Sequence, residues 1–176
     1  MLGQYYYLRR EYTNAIVLYR KALRFEPSYP FAHLFLGRSF CAMGDYTEAL
    51  KELELAEIGA GADEARTRQL FGELRKALEQ DGPAGYWEKR LEYVERKGGG
   101  NYYEKAVAHY HLRHMPEVFQ CLNKAVETRE ADGDGWMHAF EEFTLDECWD
   151  GLRDDRQFKE FVEKTGFSKV RLPKKR

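Results

Sequence analysis

The sequence predicts an all-α chain built of antiparallel helix pairs, and three observations carry that prediction. β-branched residues are scarce, with seven Val, two Ile and six Thr among 176 residues. Ala, Leu, Glu, Lys and Arg dominate instead, a composition whose intrinsic preference is helical. All five prolines (Pro27, Pro30, Pro83, Pro116 and Pro173) stand where the apolar periodicity breaks. A proline inside a helix removes a hydrogen bond and clashes with the preceding turn, so these positions mark boundaries. Finally, the chain resembles itself at a shift of 34 residues, which sends Leu2-Gly3 to Leu36-Gly37, Tyr6 to Phe40, Tyr12 to Tyr46, Ala15 to Ala49, Tyr19 to Leu53 and Ala22 to Ala56. No window alternates with period two for long enough to make a sheet.

The elements follow in order. A first pair covers 1–28, with Leu2-Gly3-x-x-Tyr6 on its first helix, Ala15-x-x-x-Tyr19 and Ala22 on its second, and Glu26-Pro27 as its close. A second covers 30–61, reading His33-x-x-Leu36-Gly37-x-x-Phe40, the Gly44-Asp45 turn, then Ala49-x-x-x-Leu53 and Ala56. The small residues Gly3, Gly37, Ala15 and Ala49 mark where two helices cross closely, and Tyr6, Phe40, Tyr19 and Leu53 fill the space between successive pairs. Over 63–98 the repeat pattern fades, but two amphipathic helices are expected. Leu70, Phe71, Leu74, Ala77 and Leu78 form one face and Trp87, Leu91 and Val94 another, with a break at Asp81-Gly82-Pro83 and a stop at Gly98-Gly99-Gly100. An offset of 69 recovers a further pair over 101–129, mapping His33 to Tyr102, Gly37 to Ala106, Ala49 to Val118, Leu53 to Leu122 and Ala56 to Ala125.

Two short capping helices are expected over 144–166. Thr144-x-x-Glu147 reads as a capping box opening a helix through Leu152. Asp154-x-x-Gln157 opens another, with Phe158, Phe161 and Val162 as its apolar face and Gly166 as its stop. Residues 167–176, ending Lys-Lys-Arg, read as a basic tail.

These motifs resemble the tetratricopeptide repeat (TPR) family, whose pattern pairs a Leu-Gly and an aromatic with two later alanines. The resemblance implies an α-solenoid over 1–166 that binds a protein or peptide on its concave face. The stretch Trp149–Phe158, with Leu152-Arg153-x-Asp155-x-x-Phe158 inside it, also resembles the segment that ends TPR regions in multidomain bacterial regulators. That likeness implies the C-terminal module of a larger regulator. Carried over by position, the family's groove residues are Gln4 and Tyr7 in the first repeat and Phe31, Leu34, Arg38 and Cys41 in the second, with Arg75 added from the divergent segment. The family's clamp for acidic C-termini is not matched, because its positions carry Gln4 and Phe35 here and its first position falls before Met1.

Catalytic and metal chemistry find little support. There is no Walker loop, GxGxxG, GxSxG or HExxH. His111 and His114 share a helical face, while His109 points away, and exposed or capping roles suit all three. Cys41, Cys121 and Cys148 lie far apart with no CxxC, which suits a reducing, cytoplasmic setting. The net charge of -2 argues against a broad grip on nucleic acid or anionic membrane, and no stretch is apolar enough to span a bilayer. The expectation is therefore a non-enzymatic protein-interaction scaffold without cofactor. A self-associating structural module is the second reading, and a single-stranded RNA-binding solenoid ranks behind it. The register also makes Met1 the sixth position of its repeat. Tyr5, Tyr6 and Leu8, with Tyr12, Ile16 and Tyr19 behind them, thus include residues that an upstream helix would help cover. The expectation is a chain cut from a longer array, with a homodimer through this N-terminal edge as a consequence, or two copies that shield each other's edges.

Overall fold

In the computed structural model, which describes residues 2–97, 101–128 and 147–165, the breaks at Pro27, Pro30 and Pro116 fall at helix ends. Helices α1 (Leu2–Leu8) and α2 (Tyr12–Phe25) form the first pair, and α3 (Pro30–Ala42) and α4 (Tyr46–Gly59) the second. Pro30 sits in the first turn of α3, where its missing N–H has no helical partner to lose. Asp45 caps α4 by accepting from the Glu48 amide at 3.1 Å. Asp63 does the same for α5 (Glu64–Lys97), accepting from the Arg66 amide at 2.8 Å. Helices α6 (Tyr102–His111) and α7 (Met115–Glu127), a 3₁₀ helix (Glu147–Leu152) and α8 (Arg156–Thr165) follow, and the described residues contain no strand.

The expected break in the middle segment is a bend inside α5. Gly82 has φ 65° and ψ −153°, a region open essentially to glycine alone. Pro83 follows it, withdrawing a donor and disfavouring the helical region for the residue before. The cap of α8 falls one residue later than the sequence suggested: Asp155, not Asp154, accepts from the Phe158 amide, at 3.0 Å. The adjacent Asp154 and Asp155 differ only in which of them the 3₁₀ helix delivers to the helix start. Thr144, Gly166, the triglycine and the basic tail lie outside the described residues.

One turn recurs inside the three clear pairs. Arg10, Gly44 and Arg113 all take the left-handed conformation, with φ 64°, 81° and 62°, and their numbers are separated by the same 34 and 69 residues as the sequence match. In each turn the next residue's amide reaches back five positions: Glu11 to the Tyr6 carbonyl, Asp45 to that of Phe40, and His114 to that of His109, all at 2.9 Å. This is the Schellman closure of a helix C-terminus, which satisfies carbonyls that would otherwise end unpaired.

The chain divides into two compact units, Met1–Tyr86 and Trp87–Arg176. In the first, a Cβ on Gly3 would lie 2.9 Å from the Tyr19 ring, and one on Gly37 would lie 2.7 Å from Leu53 Cγ. Glycine is thus required by space at both crossings, sixteen residues before the side chain it admits. Tyr7, Ala15, Ile16, Tyr19, Ala32, Phe35, Leu36, Phe40 and Ala49 make the core of these two pairs. Ile16 and Tyr19, which stand behind the N-terminal edge, are buried in this core, and the Tyr19 ring stacks on Phe35 of α3. The second unit builds its own core. Ala106, Val118, Phe119, Leu122 and Ala125 of α6 and α7 meet Trp149 and Leu152 of the 3₁₀ helix and Phe158, Phe161 and Val162 of α8. The Trp149 ring lies 5.5 Å from that of Tyr110 and 6.0 Å from that of Phe158, and it is fully buried.

Candidate functional site

Helix α3 is enclosed on nearly every side. Ala32, His33, Phe35, Leu36, Gly37, Ser39 and Phe40 are all buried. Between Phe31 and Cys41, the residues left partly open are Phe31, Leu34, Arg38 and Cys41. Their spacing of three, four and three residues places them on one stripe of a 3.6-residue helix. The stripe rests on Phe35, whose ring meets Phe31 at 4.5 Å, Tyr7 edge-on at 5.1 Å and Tyr19 stacked at 5.7 Å. The Arg38 guanidinium lies over the same ring at 5.5 Å. That cation–π contact holds the charged end of the stripe against the core and fixes its position. Tyr29 extends the aromatic row, 6.0 Å from Phe31.

The remaining candidates take different places. Tyr7 is 3% exposed, with its ring between Tyr12 and Phe35, so it supports the stripe from beneath. Gln4, one turn earlier on α1, is half-buried. Arg75 is engaged elsewhere: its guanidinium pairs with the buried Glu54 of α4, and Arg68 approaches the same carboxylate at 4.0 Å. A carboxylate this enclosed needs its cations, so Arg75 fastens α5 to α4. The sequence offered no sign of this, since Glu54 stands among four other acidic residues between Asp45 and Glu57.

His33 carries no signal in the sequence beyond its place in the repeat pattern, yet it is the polar anchor of the second pair. Its Nδ1 lies 2.7 Å from Glu52 Oε2 and its Nε2 lies 2.9 Å from the Pro27 carbonyl oxygen. One buried ring thereby ties α3 both to α4 and to the segment that closes the first pair.

The histidine cluster of the second unit is arranged differently from the expected pairing on a helical face. The turn at Arg113 carries the chain around, so His109 meets His114, with their Nδ1 atoms 3.4 Å apart. His111 stacks on Trp87 with ring centroids 4.0 Å apart and planes 4° from parallel. Burial, followed by the neighbouring His114, lowers the pKa of His109, while Glu117 and Glu95 act in the opposite sense. Among the described residues no group of three or more His, Cys, Asp or Glu side chains is placed to hold a metal ion. Cys41, Cys121 and Cys148 are in no disulfide, and burial pushes the Cys121 thiol up, away from the reactive thiolate. No described helix is long and apolar enough to cross a membrane. No family model matches this chain, and neither a curated protein nor a solved structure matches it.

Proposed function

We propose that the chain is a tetratricopeptide-repeat-type scaffold that holds a peptide, or a segment of a neighbouring domain, along the open stripe of α3. The observation that supports this reading is the stripe itself. Between Phe31 and Cys41 of a largely buried helix, the side chains that remain partly open are two apolar residues, a cation and a thiol in a single row. A rigid row of this kind offers an extended ligand apolar contact at Phe31 and Leu34 and a charged hydrogen-bond donor at Arg38. Preorganisation comes from Phe35, which holds Phe31 and Arg38 of the row and reduces the ordering cost of binding. The role is non-enzymatic, and the likeness of Trp149–Phe158 to the end of regulator TPR regions makes it the C-terminal module of a larger bacterial regulator.

The test is selection of peptides from a random display library against the whole chain, followed by titration of the selected sequences. Leu34→Ala and Arg38→Ala together are expected to weaken binding at least tenfold, about 1.4 kcal/mol, with the far-UV helical signal unchanged. Failure to select any peptide, or unchanged affinity in the double variant, refutes the reading.

A further inference from the structure

The ring of His33 is held between two oxygen atoms, and what those atoms accept decides which form of the ring fits. His33 is 6% exposed. Its Nδ1 lies 2.7 Å from Glu52 Oε2 on α4, and its Nε2 lies 2.9 Å from the carbonyl oxygen of Pro27, in the segment between α2 and α3. Among the described residues, Glu52 is the only charged or titratable side chain that contacts the ring from the elements around it. A carbonyl oxygen accepts and does not donate, and the same holds for an ionised carboxylate. A neutral imidazole carries one N–H. It therefore serves one of the two oxygens and turns a lone pair toward the other at hydrogen-bond distance. An imidazolium donates to both, and its bond to Glu52 is charge-assisted. A buried polar group left without its partner is costly, because water does not take the vacated place.

We propose that His33 is a proton-dependent latch between the first and second helix pairs, closed when the ring carries both of its protons. The latch has two ties of unequal strength. When the ring gives up one proton, the remaining N–H stays on the nitrogen that faces the charged acceptor, so Nδ1 keeps Glu52 and Nε2 loses Pro27. What opens is the junction: the segment that carries Pro27 is released from α3, while α3 and α4 stay joined. That segment is short and closely fitted. The Tyr29 amide donates to the Glu26 carbonyl at 3.2 Å, and a Cβ on Gly59 of α4 would lie 3.1 Å from the Ser28 carbonyl oxygen. The sign follows from which form fits the fold. The folded chain holds the doubly protonated ring, so the latch contributes fully at acidic pH and is lost as pH rises. This is the opposite sense to His109, where burial favours the neutral ring. The latch acts within the first unit and is independent of any ligand on α3.

Ring-nitrogen NMR of the whole chain with isotopically labelled histidine tests this, on both sides of the ordinary imidazole value of about 6.5. At mildly acidic pH both ring nitrogens of His33 should carry a proton, and at mildly alkaline pH only Nδ1 should. Over the same change the hydrogen-exchange protection of the Tyr29 amide, corrected for the intrinsic pH dependence of exchange, should fall severalfold. That of the Asp45 amide, bonded to the Phe40 carbonyl in the turn of the second pair, should hold. Glu52→Gln is the discriminating variant. A glutamine amide donates to Nδ1 as readily as it accepts from it, so a neutral ring keeps its Nε2–H on Pro27. In this variant the Tyr29 protection should no longer change with pH. A His33 ring with a single proton at mildly acidic pH overturns the proposal. So does a Tyr29 protection that stays constant in the parent, or one that still falls in Glu52→Gln. The ring spectrum and the Tyr29 exchange are read on the parent chain, so they decide the question even if Glu52→Gln fails to fold.

Discussion

The first and second helix pairs share a register, a left-handed turn and a close crossing through glycine, yet one leucine is exposed and its counterpart is buried. Leu2 and Leu36 occupy the same position of the 34-residue register, at 58% and 1% exposure. Leu2 opens α1, whereas Leu36 lies in the middle of α3, against which both α2 and α4 pack. The burial of a side chain here belongs to the helices packed alongside it and not to its place in the sequence register. The α6–α7 pair makes the same point in the other direction. Its apolar face is closed by two short helices that follow no repeat pattern, and Trp149 at their centre is fully buried.

The comparison is most severely broken by removing that closure. Trp149→Ala is expected to cost about 3–5 kcal/mol in denaturant unfolding, since the ring fills the space between Tyr103, Tyr110 and Phe158. Near-UV circular dichroism should lose its tryptophan signature first. The matched leucines give the sharpest contrast. Leu36→Ala is expected to cost about 2–5 kcal/mol, by lost burial and the cavity left behind. Leu2→Ala should stay within about 0.5 kcal/mol of the parent, as exposed positions do. Equal costs at the two positions would mean that the exposed face of α1 is covered in solution.

The crossing within the second pair comes next. Gly37→Leu places side-chain atoms where Leu53 already stands and where the Ala49 carbonyl oxygen is only 3.2 Å from a Cβ. Overpacking there is expected to lower stability by about 1–3 kcal/mol, read as a lower melting temperature. A smaller effect of opposite sign is expected at the recurring turn. Arg113 holds φ 62°, which side-chain-bearing residues adopt at a cost, whereas Gly44 holds the same turn without one. Arg113→Gly should therefore stabilise the second unit, by at most about 1 kcal/mol. The weakest effect is on pH. The folded state depresses the His109 pKa, so the unfolded chain takes up that proton first. Its contribution is intact above the ordinary imidazole value of about 6.5 and is lost as pH falls below it. His109→Gln should flatten that part of the stability profile between neutral and mildly acidic pH.

Much of the molecule was legible from spacing alone. Gly3 and Gly37 announced the close crossings because only a small residue is tolerated sixteen positions before Tyr19 or Leu53. Gly82-Pro83 announced the bend in α5 because the two residues act together, one admitting an unusual backbone and the other withdrawing a donor. Phe31, Leu34, Arg38 and Cys41, carried over from the resemblance to the TPR family and not from spacing, are the partly open residues of one stripe of α3. The recurring turn was legible only at Gly44. Arg10 and Arg113 take the same conformation, but arginine carries no signal for it, and there the helix closure imposes the backbone.

What the sequence by itself determined is the set of helices, their breaks and the register that pairs them, because these depend on contacts within a few turns of chain. What only the tertiary structure decided is which faces close. Tyr7 was expected at a groove and lies in the core because Phe35 receives its edge. Arg75 was expected beside a ligand and instead neutralises Glu54, a carboxylate twenty-one residues away that no local pattern singles out. His109 meets His114 and not a neighbour on its own helix, because the turn at Arg113 reverses the chain between them. In each case the deciding partner comes from another helix, and spacing along one helix carries no information about it.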